Sequence, residues 1–176
     1  LQVPLADDYL MNLRHADYAL AGLRTDRASI GRVWQMVPRM SRWIDPRMES
    51  RITDDRPELQ ESQRRGATVV LPADTMVDEA GNVAQGPLRV SLATLDLSAN
   101  EAVANWTART PQGITGLISY GVISIEVTDS QGAEYQVRPG AQALVTIPIQ
   151  GLRPGDAIPE GAPQEIPVWS YIEEDG

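Results

Sequence analysis

The sequence lacks cysteine, phenylalanine and lysine, and its only histidine is His15. The absence of cysteine excludes disulfide bonds, thiolate nucleophiles and cysteine-zinc sites. A Ser-His-Asp triad would have to use His15, and no histidine-rich metal spacing exists. We expect His15 to be structural or exposed, because it lies in a predicted strand beside Arg14 and close to Asp17. The sequence therefore predicts no enzyme, no catalytic residue and no cofactor.

Long apolar runs and a recognisable leader are also missing. No window approaches the ~20 apolar residues of a membrane-spanning helix. No signal peptide is recognisable, and the chain begins with Leu1 rather than methionine. We expect the chain to be an internal or processed piece of a longer polypeptide, with no membrane insertion by this segment.

The 176 residues fit one ordinary domain, or one domain with part of a neighbour, and an apolar fraction of 42% is enough for a packed core.

Positive charge is scarce in the second part of the chain. The net charge is -9. Residues 1–65 have a charge balance of +1, whereas residues 66–176 have a balance of -10. An acidic surface repels phosphate backbones, so we expect no nucleic acid partner.

Strand patterns are frequent and helical patterns are scarce. Alternating apolar and polar residues predict strands at 87–95 and 120–128. The turn sequence Asp-Ser-Gln-Gly at 129–132 is followed by Tyr135 and Val137 at strand spacing, which predicts a hairpin. Helix is limited to short turns at residues 59–65 and 97–106, the latter with Ser98 as N-cap and Glu101 three residues later.

The remaining predicted strands are short and separated by Gly, Pro and Asp. They lie at residues 9–14, 18–24, 32–37, 51–53, 69–71, 145–149 and 167–172. Pro148 lacks a backbone donor and places the strand 145–149 at a sheet edge or strand end. We predict a mostly β fold, an antiparallel β-sandwich of immunoglobulin-like or Greek-key type with at most one or two short helical turns.

Residues 1–65 differ in pattern from residues 66–176, so we predict a partial N-terminal β segment before a main β-sandwich module. The large apolar side chains of the first segment are expected to form a small core or to cover one edge of the sandwich: Trp34, Met36, Met40, Trp43 and Met48. Short strands without alternation do not fold alone, so we expect them to dock on residues 66–176 or on chain outside this sequence. At the other end, the turn sequence at 173–176 follows a predicted strand without a return strand, so we expect an open sheet edge.

Several short motifs together carry a family resemblance. They are Gly-Ala-Thr-Val-Val-Leu-Pro-Ala at 66–73, Met-Val-Asp at 76–78, Gly-Asn at 81–82, Gly-Pro-Leu-Arg-Val-Ser-Leu at 86–92, Ser-Tyr-Gly at 119–121, Arg-Pro-Gly at 138–140, Ile-Pro at 147–148 and Ile-Pro-Val-Trp-Ser-Tyr at 166–171. In this order they resemble the ectodomain shared by cartilage intermediate layer proteins and astroprincin, which also resembles bacterial surface proteins. The resemblance covers residues 64–175, except that the sequence at 103–110, which contains Asn105-Trp106-Thr107, differs from the family's pattern. Residues 9–53 resemble the end of a carboxypeptidase-regulatory-like domain. The resemblance implies an extracellular, cell-surface or periplasmic β module without catalytic residues.

Acidic and aromatic residues supply the remaining candidate sites. Calcium would need several oxygen ligands, and two loops hold them: Asp74, Asp78, Glu79 and Asn82 in one, and Asp54, Asp55 and Glu58 in the other. Neither has EF-hand spacing, and ordinary turns are the preferred interpretation, so no metal site is predicted. Asn105-Trp106-Thr107 fits the glycan-acceptor pattern, and an exposed Trp106 would suit a sugar or protein contact.

The leading functional prediction is a structural or adhesive surface module that acts through protein contacts, including self-association of its β edges into an oligomer or fibre. The alternative is a ligand-binding accessory domain of an exported enzyme, with carbohydrate or protein as ligand. Exposure of Trp43, Trp106 and Tyr171 along one groove would favour the alternative.

Overall fold

A computed structural model describes residues 8–15, 18–26, 37–62, 64–95, 107–116, 120–149 and 160. The elements in this part of the chain are β1 (Asp8–His15), β2 (Tyr18–Asp26), β3 (Met40–Ile44), β4 (Ser50–Thr53), α1 (Pro57–Glu61), β5 (Thr68–Leu71), β6 (Met76–Val77), β7 (Leu88–Leu95), β8 (Thr107–Thr110), β9 (Gly113–Gly116), β10 (Val122–Thr128), β11 (Gln136–Val137) and β12 (Leu144–Thr146). The fold is mostly β, as predicted. Among these residues no helix is long and apolar enough to cross a membrane.

All strand pairs in the described ranges are antiparallel. Two sheets have three strands, in the orders β10-β7-β3 and β12-β5-β4. Three further pairs are β1-β2, β8-β9 and β11-β6. β2 also approaches β10 without joining its sheet.

The main core is formed by residues from both three-stranded sheets. Its buried members are Ile52, Val69, Leu71, Met76, Ala84, Leu88, Val90, Leu92 and Val127. Successive side chains of a strand point to opposite faces, so the alternation of Leu88, Val90 and Leu92 places all three on the core side of β7. The same alternation places Val69 and Leu71 of β5 in this core. The apolar residues of the two sheets therefore share one hydrophobic cluster.

β7 is buried on both faces in its second half. Ala93 and Leu95 point away from the main core, yet both are buried and pack with Val37 in a second cluster. A strand that is covered on both faces loses the clean alternation of apolar and polar residues. This explains the run of buried positions from Val90 to Leu95.

Two contacts link corresponding edges of the three-stranded sheets. Arg42 of β3 donates to Asp55, which follows β4, at 2.8 Å. On the opposite side, a Cβ on Gly121, just before β10, would lie 2.7 Å from both Ile147 Cγ2 and Pro148 O, just after β12. β3 and β4 therefore lie at one edge of the molecule, and β10 and β12 lie at the other.

Most predicted strands are confirmed. β1, β2, β4, β5, β7, β10 and β12 overlap the predictions at 9–14, 18–24, 51–53, 69–71, 87–95, 120–128 and 145–149. Pro148 follows the end of β12, an outer strand of its sheet, as its missing donor predicts. The strand 167–172 and the helical turn 97–106 lie outside the described residues, as does the strand 32–37 except for Val37. α1 overlaps the predicted turn at 59–65 and buries Leu59.

The predicted hairpin turn after β10 is confirmed, but the strand that follows the turn pairs mainly with β6 instead of β10. Tyr135 N–H donates to Val127 O at 2.8 Å, so the chain first returns along β10. It then leaves β10, and β11 pairs with β6. The spacing of Tyr135 and Val137 was correct for a strand, but sequence spacing does not identify the partner strand.

β3 and β4 of the predicted N-terminal segment dock on strands of residues 66–176, one of the two arrangements expected for that segment. β3 pairs with β7 and β4 pairs with β5, so strands from both sides of residue 65 share the same sheets. The expected small core of large side chains is wrong in part: Met40 packs against the main core, whereas Trp43 and Met48 are exposed. Trp34 and Met36 lie outside the described residues.

Candidate functional site

The most enclosed polar group is a carboxylate paired with a guanidinium. Ile52, Asp54 and Arg56 alternate along the chain, and all three are buried, so Asp54 and Arg56 continue the inward face of β4. Asp54 is 1% exposed. Arg56 Nε donates to Asp54 Oδ1 at 2.7 Å, and Arg56 Nη2 donates to Asp54 Oδ2 at 2.9 Å. This is a bidentate pair, the strongest geometry for these two groups.

The pair also binds the end of β7. Thr94 N–H donates to Asp54 Oδ2 at 2.6 Å, and Arg56 Nη2 donates to Thr94 O at 2.9 Å. Arg56 Nη1 donates to Pro38 O. The Thr94 side-chain oxygen accepts from Ala67 N–H at 2.8 Å. The charged pair thus connects the end of β4, the start of β5 and the end of β7.

Close backbone packing beside this pair requires glycine. A Cβ on Gly66 would lie 1.8 Å from Asp54 O, far inside van der Waals contact. Asp54 N–H donates to Ala67 O at 2.9 Å, which holds the two segments at this separation.

The chemistry of this network is that of a structural clamp. Both Asp54 oxygens accept hydrogen bonds from within the chain, and the carboxylate has almost no contact with solvent. A ligand or metal ion would have to displace Arg56 to reach it. Sequence reasoning placed Asp54 in an acidic loop and missed the network. The sequence did contain a signal: Asp54 and Arg56 have opposite charges, are two residues apart, and continue the spacing of the inward residue Ile52.

A second polar group lies on the outer face of the sheet β10-β7-β3. Trp43 is paired with Arg89, and Ser41 is paired with Ser91. The two serine side-chain oxygens are 3.0 Å apart, and Arg89 Nη2 donates to Ser41 Oγ at 3.2 Å. Trp43 is 56% exposed beside this row of polar groups.

An ion pair crosses the same face of the sheet. Arg39, just before β3, donates to Glu126 of β10. Because β7 lies between β3 and β10, this contact spans the sheet. The charge of Glu126 is therefore balanced on the outer strand β10.

Two of the acidic turns are closed by their own hydrogen bonds. Asp78 Oδ1 accepts from Asn82 N–H at 2.8 Å, and Asp78 Oδ2 accepts from Asn82 Nδ2 at 3.0 Å. These bonds, the side-chain bond foremost, hold the pKa of Asp78 below its usual value of 3.8. Asp129 Oδ1 accepts from Gln131 N–H at 2.8 Å and from Ala133 N–H at 2.9 Å. Within the described ranges no group of three or more Asp, Glu, His or Cys side chains gathers to hold a metal ion.

Asp55, Asp45 and Arg47 form exposed ion pairs. Asp55 of the second candidate calcium loop is paired with Arg42, as described above. Asp45 Oδ2 accepts from Arg47 Nη2 at 2.7 Å, and Asp45 Oδ1 accepts from Arg47 Nε at 2.9 Å. The Arg47 side chain, followed by its backbone N–H, lowers the pKa of Asp45 from 3.8 to about 2. Both pairs lie at the edge formed by β3 and β4.

Large apolar side chains are exposed at the opposite edge. Ile125 of β10 is 41% exposed, and Leu144 and Val145 of β12 are 62% and 42% exposed. Tyr120, two residues before β10, is 37% exposed. Val145 is paired with the core residue Val69 and Leu144 with Val70, so these two side chains lie on opposite faces of β12. Exposed apolar groups at a sheet edge are candidates for an interaction site.

Of the three aromatic residues predicted to line a groove, the structure describes Trp43. Trp106 and Tyr171 lie outside the described residues, as does Asn105 of the glycan-acceptor pattern. His15 ends β1, where it pairs with Tyr18 of β2.

Comparisons with known proteins add no relative: no protein-family model, no curated protein and no solved structure matches this chain.

Proposed function

We propose that this chain is a non-catalytic structural or adhesive β module of a larger bacterial surface protein, that it works outside the cytoplasm, and that it assembles through its β edges. The observation that carries the proposal is the exposure of Ile125, Leu144 and Val145 on two outer strands. Outer strands offer unpaired backbone groups to another chain, and apolar side chains beside them favour contact over solvation.

The architecture that best fits the described strands is an antiparallel β-sandwich of immunoglobulin-like type. Both three-stranded sheets contribute to one core, and residue contacts link their matching edges on both sides. Two sheets with a shared core between them are the defining arrangement of a sandwich. The resemblance to the cartilage intermediate layer protein and astroprincin ectodomain supports the same architecture and an extracellular location.

A non-catalytic role is supported by the buried polar groups. Asp54, Arg56 and Thr94 bond to one another and to the backbone, which leaves their reactive atoms engaged. Acid–base catalysis needs a titratable group within reach of a substrate. The buried Asp54 is out of that reach.

Light scattering of the purified native particle, combined with the intact mass of its chain, tests the proposal. We expect a particle at least twice as heavy as its chain, because neighbouring copies cover the outer strands. A monomeric particle whose single chain is heavier than 19.2 kDa would contradict assembly. The partners of the outer strands would then have to lie in the rest of that polypeptide.

A carbohydrate-binding accessory role is the second candidate, and the exposed indole of Trp43 favours it. An aromatic face next to hydrogen-bonding side chains suits a sugar ring, and Ser41 and Arg89 supply such groups. A glycan-array screen of the native chain and of Trp43→Ala tests it, with Met48→Ala as a control on an equally exposed residue. Binding that is lost only in Trp43→Ala supports this role, and binding that is equal in all three chains contradicts it.

A further inference from the structure

We call the four exposed apolar side chains on or just before the outer strands β10 and β12 the β10–β12 patch: Tyr120, Ile125, Leu144 and Val145. β10 and β12 are both outer strands, and they lie at the same edge because Gly121 is next to Ile147 and Pro148. Ile125 is paired with Leu92, and Val145 is paired with Val69. Both partners belong to the main core, yet Ile125 is 41% exposed and Val145 is 42% exposed. The main core therefore reaches the surface at this edge.

The opposite edge has the features that prevent strand addition. Arg42 of β3 is paired with Asp55, and Asp45 is paired with Arg47 in the connection between β3 and β4. Charged side chains along an outer strand disfavour pairing with another chain, because pairing would desolvate them. Both ion pairs therefore lie at the β3 and β4 edge, where Trp43 and Met48 are also exposed.

Among the described residues, no strand pairs with the outer side of β10 from Val122 to Glu126, which is compatible with pairing to a second copy of itself. Tyr135 N–H donates to Val127 O at the far end of β10, and β2 approaches β10 without pairing with it. An antiparallel pairing centred on Ser124 would place Ile123 opposite Ile125 of the second copy. Glu126 would then face Val122 of the second copy rather than another glutamate.

Charge also favours this self-pairing at the patch over contact elsewhere. Copies with a net charge of -9 repel one another over most of their surfaces. The patch has no charged side chain, and Glu126 beside it is paired with Arg39. Two copies can therefore approach at this edge without burying an unpaired charge.

We propose that two copies of this chain associate through the β10–β12 patch, each using the same edge, to form a closed dimer. This inference rests on the proposed assembly through β edges and specifies the edge and the partner. An interface that uses the same surface on both subunits closes after two copies, whereas a fibre would need the charged β3 and β4 edge as well. The patch is small, so the dimer dissociates on dilution.

Sedimentation equilibrium of the 176-residue chain over a wide concentration range tests the dimer, with Ile125→Arg and Leu144→Glu as patch variants. Met48→Glu is the matched control, because Met48 is 65% exposed and lies in the connection between β3 and β4. We expect the native chain and Met48→Glu to reach twice 19.2 kDa, and both patch variants to dissociate at least tenfold more readily. Circular dichroism on each variant confirms folding, and the highly exposed Leu144 provides a variant that leaves the core intact.

Each contrary outcome has a distinct meaning. A dimer that persists unchanged in both folded patch variants overturns the patch and leaves assembly through another edge standing. Particles that grow beyond the dimer overturn the closed arrangement. A native chain that stays monomeric at all concentrations overturns this inference together with the assembly on which it rests.

Discussion

Arg56 neutralises a carboxylate that has almost no contact with water. Asp54 is held by this guanidinium and by Thr94 N–H, so its charge is compensated within the protein. A buried ion pair adds little net stability compared with apolar side chains, because both charges lose their hydration. Removal of one partner is much more harmful, since the other charge then remains buried alone.

We therefore predict that Arg56→Leu lowers the free energy of unfolding by about 3–5 kcal/mol. Urea denaturation followed by tryptophan fluorescence measures the change. Arg42→Leu is the matched control: it removes one arginine from the exposed pair with Asp55, and its expected cost is at most about 1 kcal/mol. Equal costs for the two variants would contradict the assignment of Arg56 as the essential partner of Asp54.

Asp45 gives the clearest pH-dependent group. Its pKa is lowered from 3.8 to about 2, first by the Arg47 side chain. A lowered pKa in the folded state means that the carboxylate stabilises the fold above its unfolded pKa. That contribution disappears as the pH falls through about 2.

Arg47→Met should raise the pKa of Asp45 toward 3.8, though not fully, because the backbone N–H of residue 47 still donates to Asp45. Carbon-detected NMR titration of the side-chain carboxyl measures this pKa. Arg51→Met, at an exposed position on β4, serves as the control and should leave the pKa of Asp45 unchanged. An unchanged pKa in Arg47→Met would show that another group lowers it.

At the scale of elements, two turns repeat one design. Gly81 N–H donates to Asp78 O, and Gly132 N–H donates to Asp129 O. Both glycines have positive φ, at 86° and 87°. In each turn the aspartate side chain accepts backbone N–H groups further along, which fixes the reversal before the next strand.

Gly132→Ala should lower the free energy of unfolding by about 1–2 kcal/mol, because alanine is strained at positive φ. Thermal unfolding measures the loss. Gly86→Ala is the control, since Gly86 is exposed, does not need positive φ, and has no atom within 4 Å of the place where a Cβ would lie. A cost for Gly86→Ala as large as that for Gly132→Ala would contradict the role of positive φ, because the lower entropy of the unfolded chain that alanine brings should by itself stabilise the fold.

The success of strand prediction depends on how each strand is buried. β7 and β10 were predicted because apolar and polar residues alternate over at least five positions of each, at 88–92 and 123–128. β3 was missed because its three central residues, Ser41 to Trp43, are all exposed and show no alternation. β8 (Thr-Ala-Arg-Thr) and β9 (Gly-Ile-Thr-Gly) were missed because neither short sequence has the apolar residues of a recognisable strand pattern.

The buried network was beyond sequence prediction for a different reason. Asp54 bonds to Thr94, which is 40 residues away in the sequence. Only the pairing of β4 with β5, and the packing of both against β7, brings these residues together. Pro148 predicted that β12 lies at a sheet edge or strand end, but the apolar character of the edge depends on which side of β10 faces the core.

At the scale of the whole molecule, charge and apolar exposure have opposite effects on association. In the proposed dimer, the net charge of -9 repels the second copy, whereas burial of the uncharged β10–β12 patch favours its binding. Salt shortens the range of the repulsion from about 30 Å at 0.01 M to about 3 Å at 1 M. It has little effect on contacts between uncharged side chains.

We therefore predict that the dissociation constant of the proposed dimer falls as sodium chloride is raised from 0.01 M to 1 M. Sedimentation equilibrium at both salt concentrations measures it, and Leu144→Glu should remain the weaker associator at each. The direction of the effect identifies the forces at the interface. If salt instead dissociated the dimer, ion pairs would hold the two copies together, and the charged edge formed by β3 and β4 would become the contact surface.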